Sequence, residues 1–231
     1  WYPELGPPPT VEAAGLETTS PEGDRAVSLL SCGIDSLATL RANRLWFPPA
    51  HPSSIRGCLL VDFLGKDRET GDYVPNPDAG KVDAARRVCE DVGAEIYIAR
   101  TNLWWLDDDG WFFLKSSFGA LFVSAAHCLS SAFNQVYIAS SLDALHPSVP
   151  AGSSPVLDPY YSTSRFQVHH HGTYMDRLER TRLLCDWPVA LDNLRVCVND
   201  VRGEGNCGTC EKCIRTKLTL VALGKLHHSA A

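Results

Sequence analysis

The chain has 231 residues, 45% of them hydrophobic and 21% charged, with a net charge of −6 at pH 7. This balance speaks against a disordered chain, and the length accommodates one large domain or two small ones with a real core. No run of about 18 apolar residues is present, which argues against a helical membrane span, and the acidic excess argues against a nucleic-acid-binding module while leaving room for a local basic patch.

In chain order, residues 1–24 are rich in Pro, Gly, Glu and Thr and read as a linker or surface arm. The chain opens on Trp1 with no signal-peptide pattern, so the expectation is a domain excised from a longer protein. Residues 27–30 form a short apolar run suited to a buried strand. A helix is predicted over 35–45 from Leu37, Leu40 and Leu45, and a second strand over 57–63. Val82, Ala85, Cys89 and Val92 share one face of a helix that Gly93 closes. A third strand covers 95–99. Phe118, Leu121, Phe122, Ala125, Leu129 and Phe133 line one face of a further helix. Strands over 135–139 and 166–170 and a helix over 211–226 complete the pattern, with 147–165 the longest loop. Strands alternating with helices predict an α/β domain with a doubly wound, mostly parallel five-stranded sheet.

Two motifs carry chemistry. Ser31, Cys32, Gly33, Ile34, Asp35 and Ser36 lie between the first strand and its helix. Hydroxyls and a glycine at such a turn leave N–H groups at a helix N-terminus that cradle phosphate without a lysine. The plainer alternative is a helix cap formed by Asp35 or Ser36. Position favours the ligand, because doubly wound sheets bind at the carboxyl ends of their strands. Cys32, beside a helix N-terminus, is expected to have a lowered thiol pKa. The second motif is Cys197, Cys207, Cys210 and Cys213, spaced C-x9-C-x2-C-x2-C. Four thiolates at short gaps suit a closed, structural tetrahedral Zn²⁺ site; an iron–sulfur cluster is the less favoured alternative, because its usual spacings differ. The other five of the nine cysteines are scattered, which fits a reducing cytoplasm.

Other residues have two readings each. Arg177 and Arg180 share a helix face and suit a clamp on phosphates or a carboxylate, or a solvated face paired with Asp176 and Glu179. His169, His170 and His171 alternate on a strand, cannot share one metal, and read as solvent-facing or loop residues, or with one of them facing the site. Trp104, Trp105, Trp111, Phe112 and Phe113 flank Asp107, Asp108 and Asp109 and read as core or interface around a solvated turn.

The first motif resembles the PP-loop, S-G-G-x-D-S, of the N-type ATP pyrophosphatases in the adenine nucleotide alpha hydrolase superfamily, with Cys32 in place of a glycine. With the four cysteines and the run 206–216, the chain is similar to the 7-cyano-7-deazaguanine synthase (QueC-like) group over 27–226. The resemblance implies a cytoplasmic HUP/Rossmann-like domain over 25–231 with a C-terminal zinc knuckle at 197–213 and its helix. It implies structural Zn²⁺, and ATP with Mg²⁺ as substrate. Ser31, Cys32, Gly33, Ile34, Asp35 and Ser36 would hold the nucleotide, with Asp35 beside Mg²⁺; Asp35, Arg177 and Arg180 are the candidate catalytic residues. The implied reaction is ATP-dependent adenylylation of a small-molecule carboxylate or amide oxygen. Pyrophosphate leaves, and ammonia, an amine or a sulfur donor then attacks. A homodimer stays open. A tRNA thiolation enzyme is a second reading, against which the charge counts. A degenerate nucleotide-binding or scaffold domain marked by Cys32 is a third.

Overall fold

The computed structural model describes residues 10, 12, 15, 24–67, 69–75, 79–106, 109–141, 151–197 and 205–230. Most of the expected arm over 1–24 lies outside the described residues, as do Asp107, Asp108, the first part of the 147–165 loop and much of the loop after Cys197.

The elements run β1 (Ala26–Leu29), α1 (Ile34–Trp46), β2 (Ile55–Phe63), β3 (Gly65–Lys66), β4 (Tyr73–Val74), α2 (Ala79–Val92) and β5 (Glu95–Thr101). They continue with α3 (Gly110–Phe112), α4 (Phe118–His127), β6 (Gln135–Ala139), β7 (Gln167–His171), α5 (Arg177–Leu184), α6 (Pro188–Asp192) and α7 (Glu211–Ala222). Five strands form one parallel sheet in the order β5-β2-β1-β6-β7, so the winding direction reverses between β1 and β6. β3 and β4 form a separate antiparallel pair, too short to leave a periodic trace in the sequence.

Both sheet faces are covered, which is why the central strands read as unbroken apolar runs. On one face Ala26, Cys58, Leu60 and Tyr137 pack against Leu37 and Leu40 of α1 and Ala85, Val88 and Cys89 of α2. On the other, Val27, Leu59, Val61, Val136, Ile138 and Val168 pack against Val123 and Ala126 of α4.

Helix ends follow local chemistry. Gly93 takes φ +63°, and Ala94 N–H reaches back to Cys89 O at 2.9 Å, closing α2 as expected. The helix expected through Phe133 stops at His127; Leu129 and Phe133 still pack on the same core from the turns that follow. The apolar pattern outlasted the helix because the core outlasts it. The helix expected to reach residue 226 ends at Ala222, where Gly224 at φ +67° lets Lys225 N–H bond Leu220 O at 2.8 Å. The expected long loop contains a 3₁₀ turn at Asp158–Tyr161 whose Asp158 is fully buried.

Candidate functional site

The turn from β1 to α1 is braced by its own hydroxyls. Ser36 Oγ donates to Gly33 O at 3.1 Å and lies 3.2 Å from Ser31 Oγ. Gly33 occupies the N-cap and makes no side-chain cap bond, so neither Asp35 nor Ser36 caps the helix. The simple capping alternative is therefore set aside, and the first turn, opened by Ile34, keeps its N–H groups free of side-chain capping.

Cys32 has φ +57°, the one positive φ outside glycine among the described residues. Its side chain is fully buried in the core layer beneath α1. Burial, with Cys89 nearby, pushes the thiol up to about 12. The expectation of a lowered pKa is thereby overturned: desolvation of the thiolate outweighs the helix N-terminus. The Cys32 carbonyl accepts the Arg195 N–H at 2.8 Å, tying the loop to the segment that leads into Cys197.

Asp35 points its carboxylate at two guanidinium groups, Arg180 Nη1 at 2.9 Å and Arg177 Nη1 at 3.7 Å. Arg180 is almost fully buried and its Nη2 donates to Gly172 O at 3.0 Å. Arg177 Nη2 donates to Thr216 Oγ1 at 3.3 Å. Burial lowers the Arg177 pKa, and Arg215 and Arg180 add to that against the pull of Asp35. The solvated-face reading of these arginines is corrected: Asp176 and Glu179 satisfy each other in a capping box, leaving the arginines to Asp35. Asp35 is thus the anchor of an arginine pair.

Two cavities open at the carboxyl ends of β1, β2 and β6. One, of about 230 Å³, has apolar walls that include Leu29, Leu59, Phe63, Phe118, Phe122 and Ile138. The other, of about 450 Å³, is lined by Ser31, Gly33, Ile34 and Asp35 and by five cations: Lys81, Arg177, Arg195, Lys212 and Arg215. Asp62 is its second carboxylate. Ser31, Asp35 and Lys81 border both cavities. Arg180 borders neither and acts through Asp35. Lys81, Arg195, Lys212, Arg215 and Asp62 escaped sequence reasoning. The signal available was the placing of three basic residues within two positions of a clustered cysteine.

The four thiols come together. The Sγ atoms of Cys197, Cys207, Cys210 and Cys213 lie within 4.8 Å of one another, with Cys197–Cys210 and Cys207–Cys213 each at 4.0 Å. Tetrahedral geometry with metal–sulfur bonds of about 2.3 Å requires sulfur separations of about 3.8 Å, so the cluster fits a metal ion and is consistent with structural zinc. Bonds from the Thr209 hydroxyl and from the Thr209 and Cys210 N–H groups pull Cys207 down to about 5, which prepares a thiolate ligand. Burial pushes Cys213 up to about 12, the state a metal must overcome by displacing the proton. Asn206 ties the cluster together. Its Oδ1 accepts from Val196 N–H at 2.8 Å and Cys197 N–H at 3.1 Å, while its Nδ2 donates to Leu194 O and Ala230 O.

The histidines alternate along β7 as expected, but the solvent-facing reading is wrong. His169 stacks on Tyr137 at 5.0 Å, and His170 Nδ1 meets the buried Asp158 carboxylate at 2.7 Å. His171 sits 3.3 Å from Thr39 Oγ1 of α1. Burial, then His169, His170 and Arg180, pushes His171 down to about 4. They are packing residues behind the site. The aromatic group divides: Trp104 and Phe113 pack together at 4.3 Å beside Phe63, while Trp111 and Phe112 are exposed.

A scan against protein-family models finds no match, and a search of curated proteins finds no relative. Among the described residues, no helix is long and apolar enough to cross a membrane.

Proposed function

We propose that this chain is an ATP-dependent adenylylating enzyme of the PP-loop pyrophosphatase kind, QueC-like, with structural zinc on Cys197, Cys207, Cys210 and Cys213. The carrying observation is the pair of cavities that meet at Ser31, Asp35 and Lys81, one apolar and one cationic. A nucleotide has the same division, an aromatic base at one end and a polyphosphate at the other. The base fits the apolar cavity between Phe63, Phe118 and Ile138. Ser31, Gly33 and Ile34, at the α1 N-terminus in the wall of the cationic cavity, would hold the phosphates of the Mg²⁺ complex. The reversal of strand order beside this loop supports a HUP/Rossmann-like assignment.

In this reading an acceptor carboxylate or amide oxygen attacks the α-phosphorus, the bond to the bridging oxygen breaks, and pyrophosphate leaves with the electron pair. Arg177 and Lys81 stabilise the charge that develops on it. Asp35 and Arg180 hold Arg177 in place. Ammonia, an amine or a sulfur donor then displaces AMP from the adenylate. The scattered reduced thiols fit a cytoplasmic setting.

The test is calorimetry with ATP, AMP and pyrophosphate in the presence of Mg²⁺, followed by assay of pyrophosphate release with carboxylate acceptors and ammonium. Binding and acceptor-dependent release are expected. No binding of any of the three at millimolar ligand removes the enzyme reading in favour of the scaffold one.

A further inference from the structure

We infer that the metal knuckle and the cationic cavity form one thermodynamic unit: gathering the four cysteines sets the positions of Arg195, Lys212 and Arg215, and thereby the affinity for polyphosphate. This rests on the reading of the cavity as a nucleotide-phosphate site.

The chain order is the first support. Arg195 lies two residues before Cys197, Lys212 lies between Cys210 and Cys213, and Arg215 lies two residues after Cys213. All three line the cavity, and so does Cys197 itself. A tetrahedral centre restrains each ligand's backbone, so residues one or two positions away inherit that restraint.

Two links then run from the cysteines to the phosphate loop. On one side, Asn206 holds the Val196 and Cys197 N–H groups, and the adjoining Arg195 N–H bonds the Cys32 carbonyl at 2.8 Å. On the other side, Cys210 is the N-cap of α7 and Cys213 lies in its first turn. One turn further, Thr216 meets Arg177, which meets Asp35 at the start of α1. Arg215 also pairs with Glu211 at 3.5 Å, an exposed contact of little strength. The knuckle therefore reaches the loop through a backbone bond and through a side-chain relay.

A competing account makes the opposite prediction. Four thiolates around a divalent metal carry a net charge of about −2, and nearby bases would serve merely to balance it. Stripping the metal and protonating the thiols would then remove negative charge beside the cavity and tighten anion binding. If position governs instead, stripping the metal weakens binding, because Lys212 and Arg215 lose their fixed helix and Arg195 its anchored neighbour. Coupling of this kind is reciprocal, so bound nucleotide must raise metal affinity by the same factor.

The experiment compares ATP binding, with Mg²⁺ throughout, to metal-loaded protein, to chelator-stripped protein, and to a metal-loaded Lys212→Ala/Arg215→Ala variant. Circular dichroism reports folding. Zn²⁺ affinity is measured by chelator competition with and without saturating ATP and Mg²⁺. We expect stripping and the double variant each to weaken ATP by at least about tenfold, as lost charge-assisted contacts do, and ATP to tighten Zn²⁺ binding. The competition and the metal-loaded variant keep the test decisive should the stripped protein unfold. Equal or tighter ATP binding after stripping, an unchanged double variant, or ATP-independent Zn²⁺ affinity each overturns the coupling. Loaded wild-type protein that binds no ATP overturns the nucleotide reading itself.

Discussion

Cys32 combines two features that rarely meet, a left-handed backbone and a fully buried side chain. The left-handed region costs a residue bearing a Cβ about 1 kcal/mol, and the position persists because the sulfur fills core space beside Cys89 while the carbonyl holds Arg195. Replacement by alanine loses about 1 kcal/mol of packing and keeps the strain. Replacement by glycine loses slightly more packing and removes the strain. Cys32→Gly is therefore expected to be at least as stable as Cys32→Ala, the reverse of the usual order within a core. Urea unfolding of the two variants measures this, and a glycine variant clearly weaker than the alanine variant would contradict the strained geometry. The sequence pattern exposed the odd residue, since a cysteine stood where the resembling motif has glycine. It could not show which way the sulfur points, because that depends on a core assembled from α1, α2 and β2.

At the scale of elements, the five sheet strands and helices α1, α2, α4 and α7 were legible because each buries a continuous run or a regular face, whereas the five-residue α6, which adds Ala190 and Leu191 to the core, is too short to show a period. What local pattern could not supply was where a helix stops while its core continues, as at His127, or what a polar strand faces. The segment Gln167–His171 is the clearest case: three consecutive histidines look hydrophilic, yet Thr39, Tyr137 and Asp158 receive them. Their burial has a consequence for acid stability. His171 is held down to about 4 when folded, against an ordinary value near 6.5. The unfolded chain therefore binds a proton that the folded chain refuses between those values. This contribution to stability is complete above about pH 6.5 and is lost progressively as pH falls towards 4. Between pH 7 and pH 5 the urea midpoint of the wild type is expected to fall, and to fall less in His171→Gln, whose amide retains a partner for Thr39. An identical loss in both proteins would mean that other groups carry the acid sensitivity.

Across the whole molecule, charge is sorted against the average. A chain of net charge −6 gathers Lys81, Arg177, Arg195, Lys212 and Arg215 around one cavity. These residues come from α2, α5, the segment after α6, and α7, so no single window of sequence holds the whole cluster; of the five, only Arg177 was readable as a candidate from the sequence. Such a cavity attracts ligands by their charge, whereas under the proposed function the adjoining apolar cavity would respond to the base alone. The two contributions separate by ligand and by salt. Affinity is expected to rise in the order adenosine, AMP, ADP, ATP. The Debye length shortens from about 10 Å at 0.1 M salt to about 3 Å at 1 M. Raising sodium chloride across that range should therefore weaken ATP by about tenfold or more and leave adenosine within about twofold. Calorimetric titration of the four ligands at both salt concentrations tests the division. Adenosine binding as tightly as ATP, or ATP binding indifferent to salt, would mean that the cationic cavity does not receive the phosphates.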